Sequence, residues 1–237
     1  MKFTLAMPYY INEGILRLHL ETWASYPKEL RDRMRFILVD DASPSGPAEP
    51  VIRANPIDAE VWLFRIHEDV PWRWDGARNL AMDQAPDGPC LITDVDHVLD
   101  AANAARLVAM TVRDDFHYVP ARRKADGTRY KRHPNSWILQ RSLYWKAGGY
   151  DERFSAYYGK DRIFRDRLNM VSRRREIDDV VLTLYGREVI PDASTHTLGR
   201  KESEYYSANY PEVRALMGKA HLQKPELTLN FTWSRVL

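Results

Sequence analysis

The chain has 237 residues, 44% hydrophobic and 29% charged, which is enough to close one sizeable core and predicts a single domain over residues 1–237. Lys and Arg total 35 against 33 Asp and Glu, a formal charge of +2, which excludes a strongly basic nucleic-acid binder and an acidic disordered tail. The single Cys90, beside Leu91, excludes an intramolecular disulfide and a Cys-based zinc site, and it points to a reduced, buried thiol in a cytoplasmic protein.

The apolar opening from Met1 to Met7 is cut by Pro8, Asn12 and Glu13 before a signal-peptide core is complete. No segment approaches the roughly 18 apolar residues of a membrane span. A soluble chain is expected, with peripheral membrane contact and oligomeric state left open.

Residues 3–7 read as a first strand, followed by the Pro8-Tyr9-Tyr10 turn and an apolar helical stripe through Ile11, Ile15, Leu16, Leu18 and Leu20. Residues 35–39 predict a second strand, stopped by the turn-rich stretch 40–47, and residues 61–66 a third. Residues 75–85 fit a helix with an acidic start, and residues 90–93 a short buried strand that delivers Asp94-Val95-Asp96 at its carboxyl end. In open parallel sheets ligands bind at that edge, where the loops after the first, second and fourth strands converge.

A helix is expected over residues 101–112, then a hairpin of residues 118–122 and 129–132 turning at Asp126-Gly127. Gly148-Gly149 marks a tight turn, Arg173-Arg174-Arg175 an exposed helix face, and residues 188–190 a strand before Pro191-Asp192. From about Glu202 to Trp233 the pattern is a helix and an apolar tail, which would cover a site, join two copies or finish the core. Trp72, Trp74, Trp137 and Trp145 are candidates for stacking on sugar rings, with at least half of them expected in the core. No repeat or linker divides the chain.

Two carboxylates one residue apart at a strand end, Asp94 and Asp96, can reach one hard cation or divide between a cation and a ligand hydroxyl. Asp40-Asp41-Ala42-Ser43-Pro44 reads equally as a turn held by side-chain-to-backbone hydrogen bonds, and Asp75 as a helix cap. The basic stretch from Arg122 to His133 reads as a solvated hairpin before it reads as an anion site.

Five segments in order carry a family resemblance: Met7-Pro8-Tyr9-Tyr10, Leu38-Val39-Asp40-Asp41-Ala42-Ser43, Asp75-Gly76-Ala77-Arg78-Asn79, Thr93-Asp94-Val95-Asp96, and Gly148 to Phe154 with Tyr158-Gly159-Lys160-Asp161-Arg162. Together they resemble nucleotide-sugar glycosyltransferases of the GT-A fold, family 2 type, with a galactosyltransferase-like acceptor segment. The resemblance implies an α/β domain whose mainly parallel central sheet is flanked by helices, with a small antiparallel element in the second half. Residues 1–100 would form the nucleotide-binding half and residues 101–237 the acceptor-binding half.

It further implies a uridine diphosphate sugar donor, Mn2+ or Mg2+, a glycan or other hydroxyl acceptor, and inversion of configuration. Pro8 and Tyr10 would support the base, Asp41 and Asp40 would accept from the uracil imide, Arg78 would contact the base or diphosphate, and Asp94 would meet the ribose. Asp96 and a late His196 would hold the metal, the imidazole favouring Mn2+. Asp161 would be the general base. Lys160 stands where the family often has Glu, and its ammonium is expected to keep Asp161 charged and weaken it as a base.

Other readings stay open. Asp94 and Asp96 also fit the nucleophile motif of a haloacid-dehalogenase-type phosphatase, with Asp178-Asp179 as its further acidic pair. A nucleotidyltransferase would need a Gly-rich phosphate loop that residues 7–12 lack. A catalytically inactive sugar-nucleotide or glycan-binding module is the non-enzyme alternative, kept alive by Lys160.

Overall fold

In the computed structural model, which describes residues 1–70, 72–193, 209–225 and 229–237, the chain begins with β1 (Phe3–Tyr9), α1 (Glu13–Ala24), α2 (Lys28–Arg31), β2 (Met34–Asp41), α3 (Ala48–Ala54), β3 (Val61–Ile66), α4 (Trp74–Gln84) and β4 (Pro89–Ile92). It continues with β5 (His97–Val98), α5 (Ala101–Ala109), β6 (Phe116–Lys124), β7 (Arg129–Tyr130), β8 (Trp137–Gln140), α6 (Arg141–Lys146), α7 (Asp161–Val171), β9 (Arg173–Leu184), α8 (Pro211–Ala220) and β10 (Trp233–Arg235). The strands form one sheet in the order β10-β3-β2-β1-β4-β8-β6-β9-β5, with β7 paired to β6.

β3, β2, β1 and β4 are parallel neighbours, and alternation along them builds two cores. Leu5, Met7, Phe36 and Leu38 face a layer with α1, α3 and α5, whereas Ala6, Ile37 and Val39 face α4, α6 and α7. Burial on both faces is why residues 36–39 read as an unbroken apolar run. Trp23 of α1 anchors the first layer by stacking on Phe36 at 4.1 Å between ring centroids.

The second half is mostly antiparallel: β8 pairs with β4, β6 with β8, β7 with β6 and β5 with β9, while β9 runs parallel to β6. The hairpin of β6 and β7 matches the expectation. Arg173, Arg174 and Arg175 do not lie on a helix; they pair with Phe116, His117 and Tyr118 as the start of a strand. There, ladder hydrogen bonding outweighs the helical appearance of a charge run. Residues 188–190 are not a strand either, because the Val189 and Ile190 amides both donate to the Gly186 carbonyl and close a turn.

At the far edge β10 pairs antiparallel with β3, and Trp62 lies between the guanidinium groups of Arg35 and Arg235, 4.6 and 4.4 Å from its ring centroid. The tail thus finishes the sheet, while α8 packs on α7 through Met217 and Ala220. Residues 202–208 of the expected C-terminal helix lie outside the described residues. Among the described residues no helix is long and apolar enough to cross a membrane.

Two glycines are required by their surroundings. Gly148 has φ +88° and a Cβ there would lie 2.4 Å from Pro225; a Cβ on Gly76 would lie 2.9 Å from Phe231. The expected turn at Gly148-Gly149 is present.

The helical stripe was expected to begin at Ile11, but Ile11 has φ +56° and α1 starts two residues later. Its own Asn12 makes no side-chain cap; instead Asp192 Oδ2 accepts from the Gly14 amide at 2.6 Å. Asp192→Ala should lower stability by about 1 kcal/mol, the usual worth of an N-terminal cap, measured by urea unfolding.

Candidate active site

β1, β2 and β4 end side by side, so the loops that follow them share one edge of the sheet. The Ile11 amide donates to Ser43 Oγ at 3.0 Å and ties the first two loops together. Ile11, Ala42 and Trp72, on loops at this edge, have φ of +56°, +58° and +58°. For a non-glycine residue this backbone costs on the order of 1–2 kcal/mol, and such strain gathers at ligand sites.

The two aspartates ending β2 do different work. Asp40 accepts from the Ser43 amide at 2.8 Å and the Ala48 amide at 2.9 Å, so both its oxygens close the loop. That is the turn reading of this segment. Asp41 is buried too, but its Oδ1 has no hydrogen-bond partner among the described residues. Burial pushes its carboxyl up to about 8, helped by Asp75 and Asp69 and opposed by Arg73 and Lys160. Nearby, the Tyr10 hydroxyl donates to Asp69 at 3.1 Å. Pro8 lies within β1 opposite Val39.

Asp75, Arg78 and Asn79 are spaced three and four apart on α4, and all three are buried. Arg78 is 1% exposed, with its guanidinium 4.9 Å from the Trp74 ring centroid and 5.4 Å from that of Tyr150. It donates to the Tyr150 hydroxyl at 2.7 Å and, through Nη2, to Asp94 Oδ1. Asn79 donates to the Tyr150 carbonyl at 2.9 Å and to Glu152 Oε1 at 2.7 Å, and accepts from the Tyr150 amide at 2.9 Å.

Asp75 pairs with Lys160 Nζ at 2.9 Å and accepts from Ser155 Oγ. The Lys160 ammonium, expected beside Asp161, is therefore turned into the protein, where it also donates to the Trp72 carbonyl and sits 5.1 Å from the Trp74 ring centroid. Burial lowers its pKa, with Asp75 opposing. Of the four tryptophans, Trp137 is fully buried, Trp74 and Trp145 pack against the second core, and Trp72 meets Tyr158 edge-on.

The Asp94-Val95-Asp96 turn is gripped from several elements. The buried His19 of α1 bonds the Val95 carbonyl at 2.7 Å, and the Tyr185 amide donates to the Asp96 carbonyl at 2.9 Å. Asp94 Oδ2 lies 3.2 Å from His133 Nε2. His133 Nδ1 bonds Ser136 Oγ at 3.0 Å, which in turn bonds Thr93 Oγ1 at 2.7 Å. Burial, with His97, Arg78 and Arg122 adding, holds His133 well below its ordinary value, so the ring is neutral.

Asp96 Oδ1 is buried without a hydrogen-bond partner and lies 2.5 Å from His97 Nδ1 without hydrogen-bond geometry. His97 Nε2 is 3.0 Å from Arg122 Nη1, and because a guanidinium only donates, the imidazole proton sits on Nδ1. No group of three His, Cys, Asp or Glu side chains among the described residues is gathered to hold a metal, and His196 lies outside the described residues. Asp161 opens α7 and its Oδ1 accepts from Asn135 Nδ2 at 3.0 Å. Asp178 and Asp179 lie exposed on β9, where Asp178 pairs with Arg132 at 2.7 Å, so they form no acidic pair with Asp94.

Sequence reasoning missed His19, His133 and Asn135. His19 lies in the buried α1 stripe with Ile15, Leu16, Leu20 and Trp23, a placement that periodicity alone could have found. His133 and Asn135 had no such signal, because a short irregular stretch between β7 and β8 delivers them.

The fold places the chain among glycosyltransferase structures. S. aureus TarS residues 1–349 in complex with UDP-GlcNAc superposes with a TM-score of 0.67 at 16% identity, covering 97% of this chain and 68% of that one. A further structure of TarS 1–349 gives 0.59 at 17% identity, covering 81% of this chain and 63% of that one. The mannosyltransferase PcManGT from Pyrobaculum calidifontis, in complex with GDP-Man and Mn2+, gives 0.58 at 18% identity over 93% and 62%. The chain thus has the expected GT-A-like architecture and spans somewhat under two thirds of the length of two of these structures. No family model and no curated protein matches the sequence.

His19 gives the site an acid sensitivity. Burial lowers its pKa from 6.5 to about 4, so the unfolded chain binds a proton first as pH falls. The stability it contributes is complete above pH 6.5 and is lost between there and pH 4, to the extent of about 3 kcal/mol. Urea midpoints measured across that range should fall, and less steeply in His19→Gln, which keeps a donor for Val95 but does not titrate.

Proposed function

We propose that this chain is a glycosyltransferase that moves a sugar from a uridine diphosphate sugar to a hydroxyl acceptor, with inversion at the anomeric carbon. What carries the reading is one sheet edge that gathers a buried, unpartnered Asp41 oxygen, a clamped Asp94 and the neighbouring Asp96 carboxylate, with Asp161 close enough for its charge to act on Asp94. The ligands of the similar structures, UDP-GlcNAc, GDP-Man and Mn2+, are of the chemistry those groups suit.

In this reading Asp41 accepts from the uracil imide, beside Pro8 and Tyr10, and Asp94 accepts from ribose hydroxyls. Arg78 acts one step back, by fixing the Asp94 carboxylate. Asp96 fits a divalent cation, because a single carboxylate beside diphosphate oxygens and water suits Mg2+ or Mn2+. His196 would complete that shell and favour Mn2+. The chemistry such a cation supplies is neutralisation of the charge that builds on the departing diphosphate.

Asp161 takes the proton of the acceptor hydroxyl as its oxygen bonds to the anomeric carbon and the bond from that carbon to the diphosphate oxygen breaks. The pairing of Lys160 with Asp75 supports catalysis over an inactive binding module, since Asp161 keeps an uncharged amide as its hydrogen-bond neighbour.

The test compares release of UDP from a panel of UDP-sugars by the wild type, Asp161→Asn and Asp96→Ala. Asp161→Asn should cut turnover by about 100-fold or more while the donor KM stays near that of the wild type. Asp96→Ala should raise the donor KM and remove the dependence on Mn2+. Equal loss of donor affinity in both variants contradicts these separate roles.

A further inference from the structure

Between β7 and β8 the chain reaches both halves of the site with two side chains two residues apart. His133 Nε2 lies 3.2 Å from Asp94 Oδ2, and Asn135 donates through Nδ2 to Asp161 Oδ1 at 3.0 Å. Pro134 between them limits the backbone to one φ, and Ser136 pins the turn by bonding both His133 and Thr93, the residue before Asp94. Asn135 is 6% exposed, and its Oδ1 is buried with no hydrogen-bond partner among the described residues. Its orientation is set by Asp161, because a flipped amide would point oxygen at carboxylate. A buried amide that leaves its acceptor unsatisfied in order to donate to one carboxylate costs stability, so its value must lie in that bond.

We propose that Asn135 is a positioning residue for Asp161, holding Oδ1 so that the other carboxylate oxygen faces the acceptor, and that the 133–135 turn sets the spacing between the donor-side Asp94 and the acceptor-side Asp161. The inference rests on Asp161 being the general base. The wider surroundings fit a neutral positioner: Lys160 is spent on Asp75 and Arg78 on Asp94, which leaves Asn135 as the described side chain that hydrogen-bonds the Asp161 carboxylate.

A double-mutant cycle tests it, with Mn2+-supported hydrolysis of UDP-GlcNAc as the reaction. Asn135→Ala should leave KM near the wild-type value and lower kcat on the order of tenfold to a hundredfold. Combined with Asp161→Asn it should cost no more than Asp161→Asn alone, whereas a merely structural role would add its loss to the other. An unchanged kcat in Asn135→Ala, or additive losses, overturns the proposal.

If instead Asp161→Asn keeps full turnover, or the wild type releases no UDP, the functional reading fails first. The contact itself is then still decided by the Asn135 side-chain amide protons. In the NMR spectrum of the wild type they should be a protected, well-separated pair that collapses in Asp161→Ala. No change in that pair overturns the hydrogen bond and the proposal with it.

Discussion

The buried guanidinium of Arg78 is the constraint on which the site depends. A cation that is 1% exposed is tolerable only if it is paired and hydrogen-bonded, and Arg78 meets that condition through Asp94, the Tyr150 hydroxyl and the faces of Trp74 and Tyr150. Each partner belongs to a different part of the chain: Asp94 follows β4, Tyr150 follows the Gly148-Gly149 turn, and Trp74 opens α4 itself. Satisfying one charge therefore fixes the loop after β4 against the segment after the Gly148-Gly149 turn. Asn79, one residue on, repeats the grip on Tyr150 and Glu152 with neutral hydrogen bonds.

Asp75 and Lys160 add a second buried pair between the same two parts, at 2.9 Å. Either charge alone would be costly there, so Lys160 is matched by an acid on α4. The result is local neutrality around Asp41, whose own carboxyl is pushed up to about 8 by burial. A partly neutral acid with an unpartnered oxygen is a group whose hydrogen-bonding capacity the protein itself does not use.

The parallel half of the fold was legible because its strands are short apolar runs buried on both faces, its helices carry one apolar stripe, and its loops are punctuated by Pro, Gly and Asp. Residues 61–66 were bounded as the structure has them, and Asp94 and Asp96 were placed at the correct strand end. What could not be read depended on partners distant in sequence. Nothing local distinguishes Asp40 from Asp41; only the Ser43 and Ala48 amides do. The direction of the Lys160 side chain is set by Asp75, 85 positions away, and His133 was hidden in a basic run in which Arg129 and Arg132 pair with exposed acids of β9. Residues 173–175 became a strand because β6 offered them a ladder, which is tertiary context overriding a local charge pattern.

The account stands on a nucleotide and a divalent cation meeting at this edge. Calorimetric titration with UDP, with and without Mn2+ and beside other nucleoside diphosphates, tests it most directly. The account predicts binding that prefers uridine, strengthens with Mn2+, and loses that strengthening in Asp96→Ala. Absence of binding to any nucleoside diphosphate, or binding indifferent to both Mn2+ and Asp96, would contradict it.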